Sequence, residues 1–146
     1  MAETFSGGCG CGAIRFVCSA EPLAIFNCHC RDCQKASGAP FISAMAVPAA
    51  AVTITGQPKY HSVPTDSGNT MSRGFCADCG SRLLARISGR ANAIGIHLTS
   101  LDDPNRYHPT MGHLDLERAH VGPHEPVAAK DGERPAAALS DPNAGQ

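Results

Sequence analysis

Short segments in which apolar and polar residues alternate recur along the chain, and they predict an all-β domain. Each segment is bounded by Gly, Pro, Ser, Asp or Asn, the residues that form turns between strands. The predicted strands cover residues 13–18, 23–27, 41–47, 52–55, 59–63, 70–75, 82–87 and 93–98. We therefore predict a mainly β fold built from several small antiparallel sheets.

The signal for helices is weak. The best candidate covers residues 30–37, where Cys30 and Cys33 fall three residues apart on one face and Gly38 is suited to a left-handed C-cap. Short turns are predicted at 48–51 and 102–106. From residue 122 onward the chain is rich in Pro, Ala, Gly and charged residues, with little to bury. We predict one folded domain over residues 1–121 and a flexible or loosely packed tail over 122–146.

Charge and composition exclude several classes of function. The 146 residues carry a formal net charge of −1, with acidic and basic residues interspersed. Such a chain has no basic surface for nucleic acid and no polybasic patch for a membrane. No apolar run approaches the roughly 20 residues that span a bilayer. The beginning of the chain, MAETFSGG, lacks the apolar segment of a secretory signal, so we expect a cytoplasmic location.

Seven of the eight cysteines form three tight clusters with metal-ligand spacing: CGC at 9–11, CHCRDC at 28–33 and CADC at 76–79. A structural zinc site takes four ligands, whereas a reactive site keeps three and leaves the fourth position to water or substrate. The two pairs, Cys9 with Cys11 and Cys76 with Cys79, can together form one closed site. Cys28, Cys30 and Cys33 then form a second, open site.

The cysteines also suit two other interpretations. An even number of clustered cysteines also suits a disulfide framework, but disulfides are rare in the reducing cytosol. CADC also resembles a thioredoxin-like redox pair, but that motif begins a helix in a βαβ unit, and GFCADCGSRL is flanked by strand-like sequence. Both considerations favour zinc.

Glycines beside the cysteines are typical of zinc knuckles, where the backbone folds back so that N–H groups point at the sulfurs. This turn needs a positive φ and close approach of the backbone. Gly10, Gly12 and Gly80 are the candidates for these positions. A phosphate-binding loop at GGCGCG is the competing interpretation, but no helix is predicted after it.

The succession GGCGCGAIRF, CHCRDCQKASGAPF, RGFCADCGSRL and LDDP, within residues 7–109, resembles the glutathione-dependent formaldehyde-activating enzyme family. The resemblance implies the Mss4-like β-tent fold, with small sheets joined by zinc and one short helix. It also implies two Zn²⁺ ions per chain. Cys9, Cys11, Cys76 and Cys79 would hold the structural ion, and Cys28, Cys30 and Cys33 the ion at the active site, with glutathione as cosubstrate.

An open zinc site with three thiolates suits carbon–sulfur chemistry. It binds a fourth, soft sulfur ligand well, and a thiol that coordinates is deprotonated. Held beside formaldehyde or another small aldehyde, that sulfur can add to the carbonyl carbon, and reversal is carbon–sulfur lysis. We therefore predict a zinc-dependent carbon–sulfur lyase similar to S-(hydroxymethyl)glutathione synthase.

Several other residues are candidates for the site. Arg31 and Lys35 flank the three-cysteine cluster and can hold the carboxylates of glutathione, or they are solvated charges on an exposed helix. His29 is expected to point away from the metal. A histidine acting as fourth ligand would make the second site structural, and the candidates are His61, His97, His108 and His113. Cys18, outside every cluster, is predicted to be a buried, inert thiol.

Two function classes stay open at this point. The first is the enzyme just described, acting on small molecules as a monomer or weak homo-oligomer. The second is a zinc-stabilised β-tent binding module without catalysis, which would need an exposed apolar patch. A methionine sulfoxide reductase of related fold is a weaker third option, because it needs a separate catalytic cysteine and Cys18 is a poor candidate. The three-cysteine cluster favours the enzyme.

Overall fold

The computed structural model describes residues 3–113, and their main elements are ten β-strands and one α-helix. The helix, α1, covers Arg31–Ser37. The strands are β1 (Phe5–Gly8), β2 (Arg15–Cys18), β3 (Ala24–Cys28), β4 (Ile42–Pro48), β5 (Val52–Thr55), β6 (Lys59–Pro64), β7 (Thr70–Phe75), β8 (Arg82–Ile87), β9 (Ala93–His97) and β10 (Met111–His113). Short 3-10 turns cover Ala49–Ala51, Ser88–Arg90 and Leu98–Ser100.

The mainly β prediction is confirmed, and each of the eight predicted segments overlaps a strand. The predicted helix is present and begins one residue later than expected, because Cys30 is its N-cap: the Cys30 sulfur accepts a hydrogen bond from the backbone N–H of Cys33. Gly38 ends the helix in the left-handed conformation, with φ 71°. β1 and β10 were not predicted. β1 reads FSGG and offers one large apolar residue, which is too little for an alternating pattern to be recognised.

The described strands form two sheets. The smaller sheet has the order β1-β2-β5, and the larger has the order β10-β3-β4-β9-β8-β7-β6. All pairs are antiparallel except β10 with β3. An isolated antiparallel bridge between Gly7 and Leu101 brings β1 next to the segment that follows β9.

Within residues 3–110, the buried apolar side chains form one cluster, to which both sheets contribute. Phe5, Phe16 and Cys18 come from the smaller sheet, and Met45 and Ile96 are among the contributions of the larger one. Phe16 is 1% exposed, and Cys18 and Met45 are fully buried. Cys18 is therefore a core thiol, as predicted, and its Sγ donates a 3.4 Å hydrogen bond to the carbonyl of Ala20.

The register between β7 and β8 changes at one point near the start of β8. Gly74 is paired with Leu84, but the next residue, Phe75, is paired with Arg82. Leu83 is therefore the extra residue of a β-bulge, and Leu83 and Leu84 are both buried although they are consecutive. The bulge breaks the usual alternation and sets the direction of Arg82 independently of the rest of β8.

Two further predictions concern the chain as a whole. Among residues 3–113, no helix has both the length and the apolar character required to cross a bilayer. The predicted tail, residues 122–146, lies outside the described residues, so the boundary at residue 121 stays a prediction.

Candidate metal centres

The first thiol group joins two loops that belong to different sheets. Cys9 and Cys11 lie between β1 and β2, and Cys76 and Cys79 lie between β7 and β8. Their four sulfur atoms lie within 4.8 Å of one another. The Cys9 and Cys11 sulfurs are 3.5 Å apart, and those of Cys11 and Cys76 are 3.7 Å apart. Cys9 and Cys76 are buried, whereas Cys11 and Cys79 are exposed.

Local backbone geometry turns the chain back toward these sulfurs. The N–H of Ile14 donates a 3.2 Å hydrogen bond to the sulfur of Cys9. Gly12 and Gly80 have positive φ values of 80° and 74°, as predicted for the knuckles. Gly10 does not, so that part of the prediction is wrong: its N–H instead donates a 3.0 Å hydrogen bond to the Ser81 hydroxyl, which ties the two loops together.

The second thiol group is formed within one continuous stretch of chain. Cys28 ends β3, Cys30 caps α1 and Cys33 lies in the first turn of the helix. Their sulfurs also lie within 4.8 Å of one another, and those of Cys28 and Cys30 are 3.5 Å apart. All three cysteines are partly buried. The strand end and helix start therefore present three thiols to one point.

Both groups fit a zinc ion. Sulfurs bound to one Zn²⁺ at about 2.3 Å in a tetrahedron lie about 3.8 Å apart, close to the separations above. Soft thiolates are also the ligands that zinc accepts readily. The first group would supply all four ligands of a tetrahedral zinc ion, and the second would supply three and leave one position for another ligand.

The second group is too compact for its thiols to ionise together without a cation. Hydrogen bonds from Cys28 and then Cys33 lower the pKa of the Cys30 thiol. The hydrogen bond with Cys28, followed by that with Cys30, raises the pKa of Cys33. The pKa of Cys28 is also raised, chiefly by its hydrogen bond with Cys30. A divalent cation would offset the repulsion between neighbouring thiolates, so that all three cysteines could be ionised together.

The described histidines do not join either group. None of His29, His61, His97 and His108 has a ring nitrogen within 4.8 Å of all the sulfurs of either group. The ring of His29 instead packs on that of Phe41, with centroids 5.0 Å apart, as expected for a residue pointing away from the metal. The backbone of His113 is paired with Cys28, and its side chain lies outside what the structure describes.

A cleft of about 610 Å³ lies between the loops of the first thiol group and the segment that follows α1. This volume is within the range of small-molecule sites, about 300–1,000 Å³. Ile42 lines the cleft and is paired with Cys28 on the neighbouring strand. Ser37 also lines it and donates a 2.8 Å hydrogen bond to the Cys33 carbonyl. The second thiol group thus adjoins the cleft wall, although its three cysteines do not line the cleft.

Charged and titratable side chains are concentrated in this cleft. Arg15 and Asp102 form an ion pair, which lowers the pKa of the Asp102 carboxyl. Arg82 and His97 lie on the same cleft. Burial, followed by the nearby guanidinium groups of Arg82 and Arg73, lowers the pKa of His97 to about 4. His97 is therefore neutral near pH 7.

Arg31 and Lys35, the predicted contacts for glutathione, lie on the exposed face of α1 and do not line the cleft. Arg31 donates a 3.3 Å hydrogen bond to Gln34 of its own helix. Sequence reasoning did not select Arg82 as a candidate. The only signal was its position three residues after Cys79, which becomes informative once the two loops are known to meet.

Comparisons with known proteins agree with this arrangement. The family model described as glutathione-dependent formaldehyde-activating enzyme matches residues 4–116. A crystal structure of a Rhodobacter sphaeroides protein, from a structural genomics programme, is similar with a TM-score of 0.53 and 17% sequence identity. That match covers 66% of this chain and 87% of the other, and it supports the fold. With all three cysteine clusters inside the matched region, the chain belongs to the glutathione-dependent formaldehyde-activating enzyme family.

Proposed function

We propose that the protein adds the thiolate of glutathione to formaldehyde or a related small aldehyde, as a carbon–sulfur lyase of the S-(hydroxymethyl)glutathione synthase type. One observation carries the proposal: a group of three thiols, suited to an open metal site, adjoins a cleft of about 610 Å³ in a member of this family. The reaction belongs in a reducing compartment, where thiols stay free, and a cytoplasmic location is part of the proposal.

Two zinc ions have different roles in this proposal. Cys9, Cys11, Cys76 and Cys79 would hold a structural ion, and Cys28, Cys30 and Cys33 an ion at the reactive site. When bound, the second ion would supply thiol activation, because a thiol that ligates zinc is deprotonated. Both assignments are supported by the spacing of the sulfurs and by the chemistry of the donors.

The residues of the chain would supply binding and orientation. The cleft would hold the tripeptide while its thiol is directed past Ser37 and Ile42 toward the neighbouring cysteines. The sulfur–carbon bond forms as the C=O π bond breaks, and the oxygen takes up the proton that the thiol has lost. No oxidant or reductant is needed. Positioning of the two reactants would contribute much of the acceleration, since it replaces a bimolecular encounter.

The alternative, a zinc-stabilised binding module, receives less support. Large apolar side chains that remain exposed among the described residues lie on separate elements: Val17 on β2, Leu23 before β3, Phe41 after α1 and Tyr60 on β6. Phe41 lines the cleft, which explains why its side chain is exposed. This distribution differs from the contiguous patch that a protein partner would need.

The experiment that tests the function is exchange NMR spectroscopy of formaldehyde and glutathione at equilibrium. We expect the zinc-loaded protein to accelerate their interconversion with the S-hydroxymethyl adduct. Cys30→Ala should abolish the acceleration, whereas Cys18→Ala, which removes a thiol outside both groups, should keep it. An unchanged rate with wild-type protein that contains two zinc ions would overturn the enzyme assignment and favour the binding module.

A further inference from the structure

One arginine of the cleft is not paired with any carboxylate of residues 3–110. Its described lining residues include two arginines, Arg15 and Arg82, and one carboxylate, Asp102. Arg15 is paired with that carboxylate, Asp102, which also accepts a hydrogen bond from Ser6. The Arg82 side chain is exposed, and its guanidinium has no ion-pair or hydrogen-bond partner among residues 3–110. A guanidinium without a partner, on the wall of a ligand-sized cleft, is available to bind an anion.

The β-bulge at the start of β8 positions Arg82 on the cleft wall. The bulge at Leu83 allows Leu83 and Leu84 both to be buried, and it pairs Arg82 with Phe75 at the start of β8. Bulges of this kind occur next to active sites, where they change the direction of a side chain. The guanidinium therefore extends from a strand end that is anchored in the core.

Three polar side chains on the same cleft, those of His97, Ser81 and Ser43, carry no negative charge that could pair with Arg82. His97 lies on the same cleft, is buried and is neutral near pH 7. The Ser81 hydroxyl accepts a hydrogen bond from Gly10 and contacts the sulfur of Cys79. The Ser43 hydroxyl donates a 2.6 Å hydrogen bond to the side-chain oxygen of Asn27. An anion supplied by the ligand would thus find in Arg82 a guanidinium that no carboxylate of the described residues already pairs.

We propose that Arg82 binds a carboxylate of the thiol cosubstrate and so selects carboxylate-bearing thiols over neutral ones. This inference rests on the proposed function and assigns to the cleft the recognition that the sequence predicted for Arg31 and Lys35. The planar guanidinium can donate two parallel hydrogen bonds to a carboxylate. Arg82 is a specificity-determining residue in this scheme. The reacting sulfur and carbonyl lie toward the second thiol group.

The test measures binding of S-methylglutathione to the zinc-loaded protein by isothermal titration calorimetry. This ligand keeps both carboxylates of glutathione but has no free thiol, so its binding reports recognition by the cleft without thiolate formation. We expect Arg82→Gln to weaken binding about tenfold or more, because it removes a charge-assisted hydrogen-bonded pair. Arg82→Lys should retain part of the affinity. Arg90→Gln, at an exposed arginine away from the cleft, is the matched control and should bind as the wild type does.

Zinc content and melting temperature of each variant establish that the fold is intact. Wild-type affinity in Arg82→Gln would overturn the inference. So would a tenfold loss in the double variant Arg31→Gln with Lys35→Gln while Arg82→Gln binds normally. Failure of the proposed function is a separate result: S-methylglutathione would bind in an Arg82-dependent manner, but the protein would not accelerate adduct formation.

Discussion

The sulfur atoms of Cys11 and Cys76 lie 3.7 Å apart, although 65 residues separate the two cysteines along the chain. Cys11 lies in a loop of the smaller sheet and Cys76 in a loop of the larger one. A metal ion bound there would be a cross-link between the sheets. Closing so long a loop in the unfolded chain is entropically unfavourable, so the ion would have a large effect on the free energy of folding.

The first prediction follows from this cross-link. Cys76→Ser should leave little soluble folded protein, because a structural four-cysteine zinc contributes on the order of 10 kcal/mol, comparable with the whole stability of a small domain, about 5–15 kcal/mol. Soluble yield, melting temperature and zinc content measure the effect. Cys18→Ala is the control and should keep its zinc. Near-normal stability of Cys76→Ser would mean that the four cysteines do not share a metal.

The second prediction separates the two thiol groups. Cys28, Cys30 and Cys33 close only short loops, so Cys30→Ala should keep its circular dichroism spectrum while its zinc content falls by about one equivalent. Loss of the N-cap hydrogen bond adds a cost of about 1 kcal/mol. Cys30→Ser, which restores a cap acceptor, should recover part of that cost without recovering activity. Global unfolding of both variants would show that this group is structural.

The third prediction concerns the two glycines, Gly10 and Gly12, in the loop that carries Cys9 and Cys11. Gly12 has φ 80°, a conformation that L-residues rarely adopt, so Gly12→Ala should lower stability by about 1 kcal/mol. Gly10 lacks a positive φ, and a β-carbon there would meet the Ser81 hydroxyl at an ordinary 3.4 Å. Gly10→Ala should therefore be nearly neutral. Denaturant titration of the two zinc-loaded variants compares them directly, and equal losses would contradict the assignment.

The fourth prediction concerns pH. The pKa of His97 is lowered from 6.5 to about 4 by burial and by Arg82 and Arg73. Above pH 6.5 the imidazole is neutral in both folded and unfolded chains. As the pH falls toward 4, the unfolded chain takes up a proton that the folded protein excludes, so stability decreases by up to about 3 kcal/mol.

His97→Gln should lessen this pH dependence, since glutamine does not titrate. Unfolding free energies of the two proteins are compared between pH 7 and pH 5. The cysteines are the same in both, so any loss of metal ligation at low pH cancels in the difference. Parallel pH profiles would mean that His97 is protonated equally in the folded and unfolded states.

Much of the fold could be predicted because strand alternation is a local property. The segment 82–87 shows the limit of prediction from alternation. Its bounds were predicted, but the bulge at Leu83 depends on pairing with β7 and leaves no clear local signal. β10 has three residues and pairs in parallel with β3, a contact between distant segments. Such features depend on register rather than on pattern.

In the candidate site, too, some features follow from local sequence and others depend on contacts between distant segments. The cysteine clusters could be recognised from spacing, because ligands of one ion must lie within a few ångströms. Arg31 and Lys35 were chosen for their nearness in sequence to the second group, whereas the cleft is formed by Arg82, His97 and Asp102, which come from separate parts of the chain. Their convergence depends on how the two sheets meet.

The two loops that carry the first thiol group also form one end of the cleft, through Gly8 to Gly10 on one side and Gly80 to Arg82 on the other. Metal binding by the four thiols and ligand binding in the cleft would therefore depend on the same arrangement of these loops, and linkage would make their effects reciprocal. A ligand held between the loops should slow the escape of the structural metal to a chelator. Metal depletion should in turn weaken the affinity of the cleft. Availability of zinc would then act on this protein as an effector as well as a structural component.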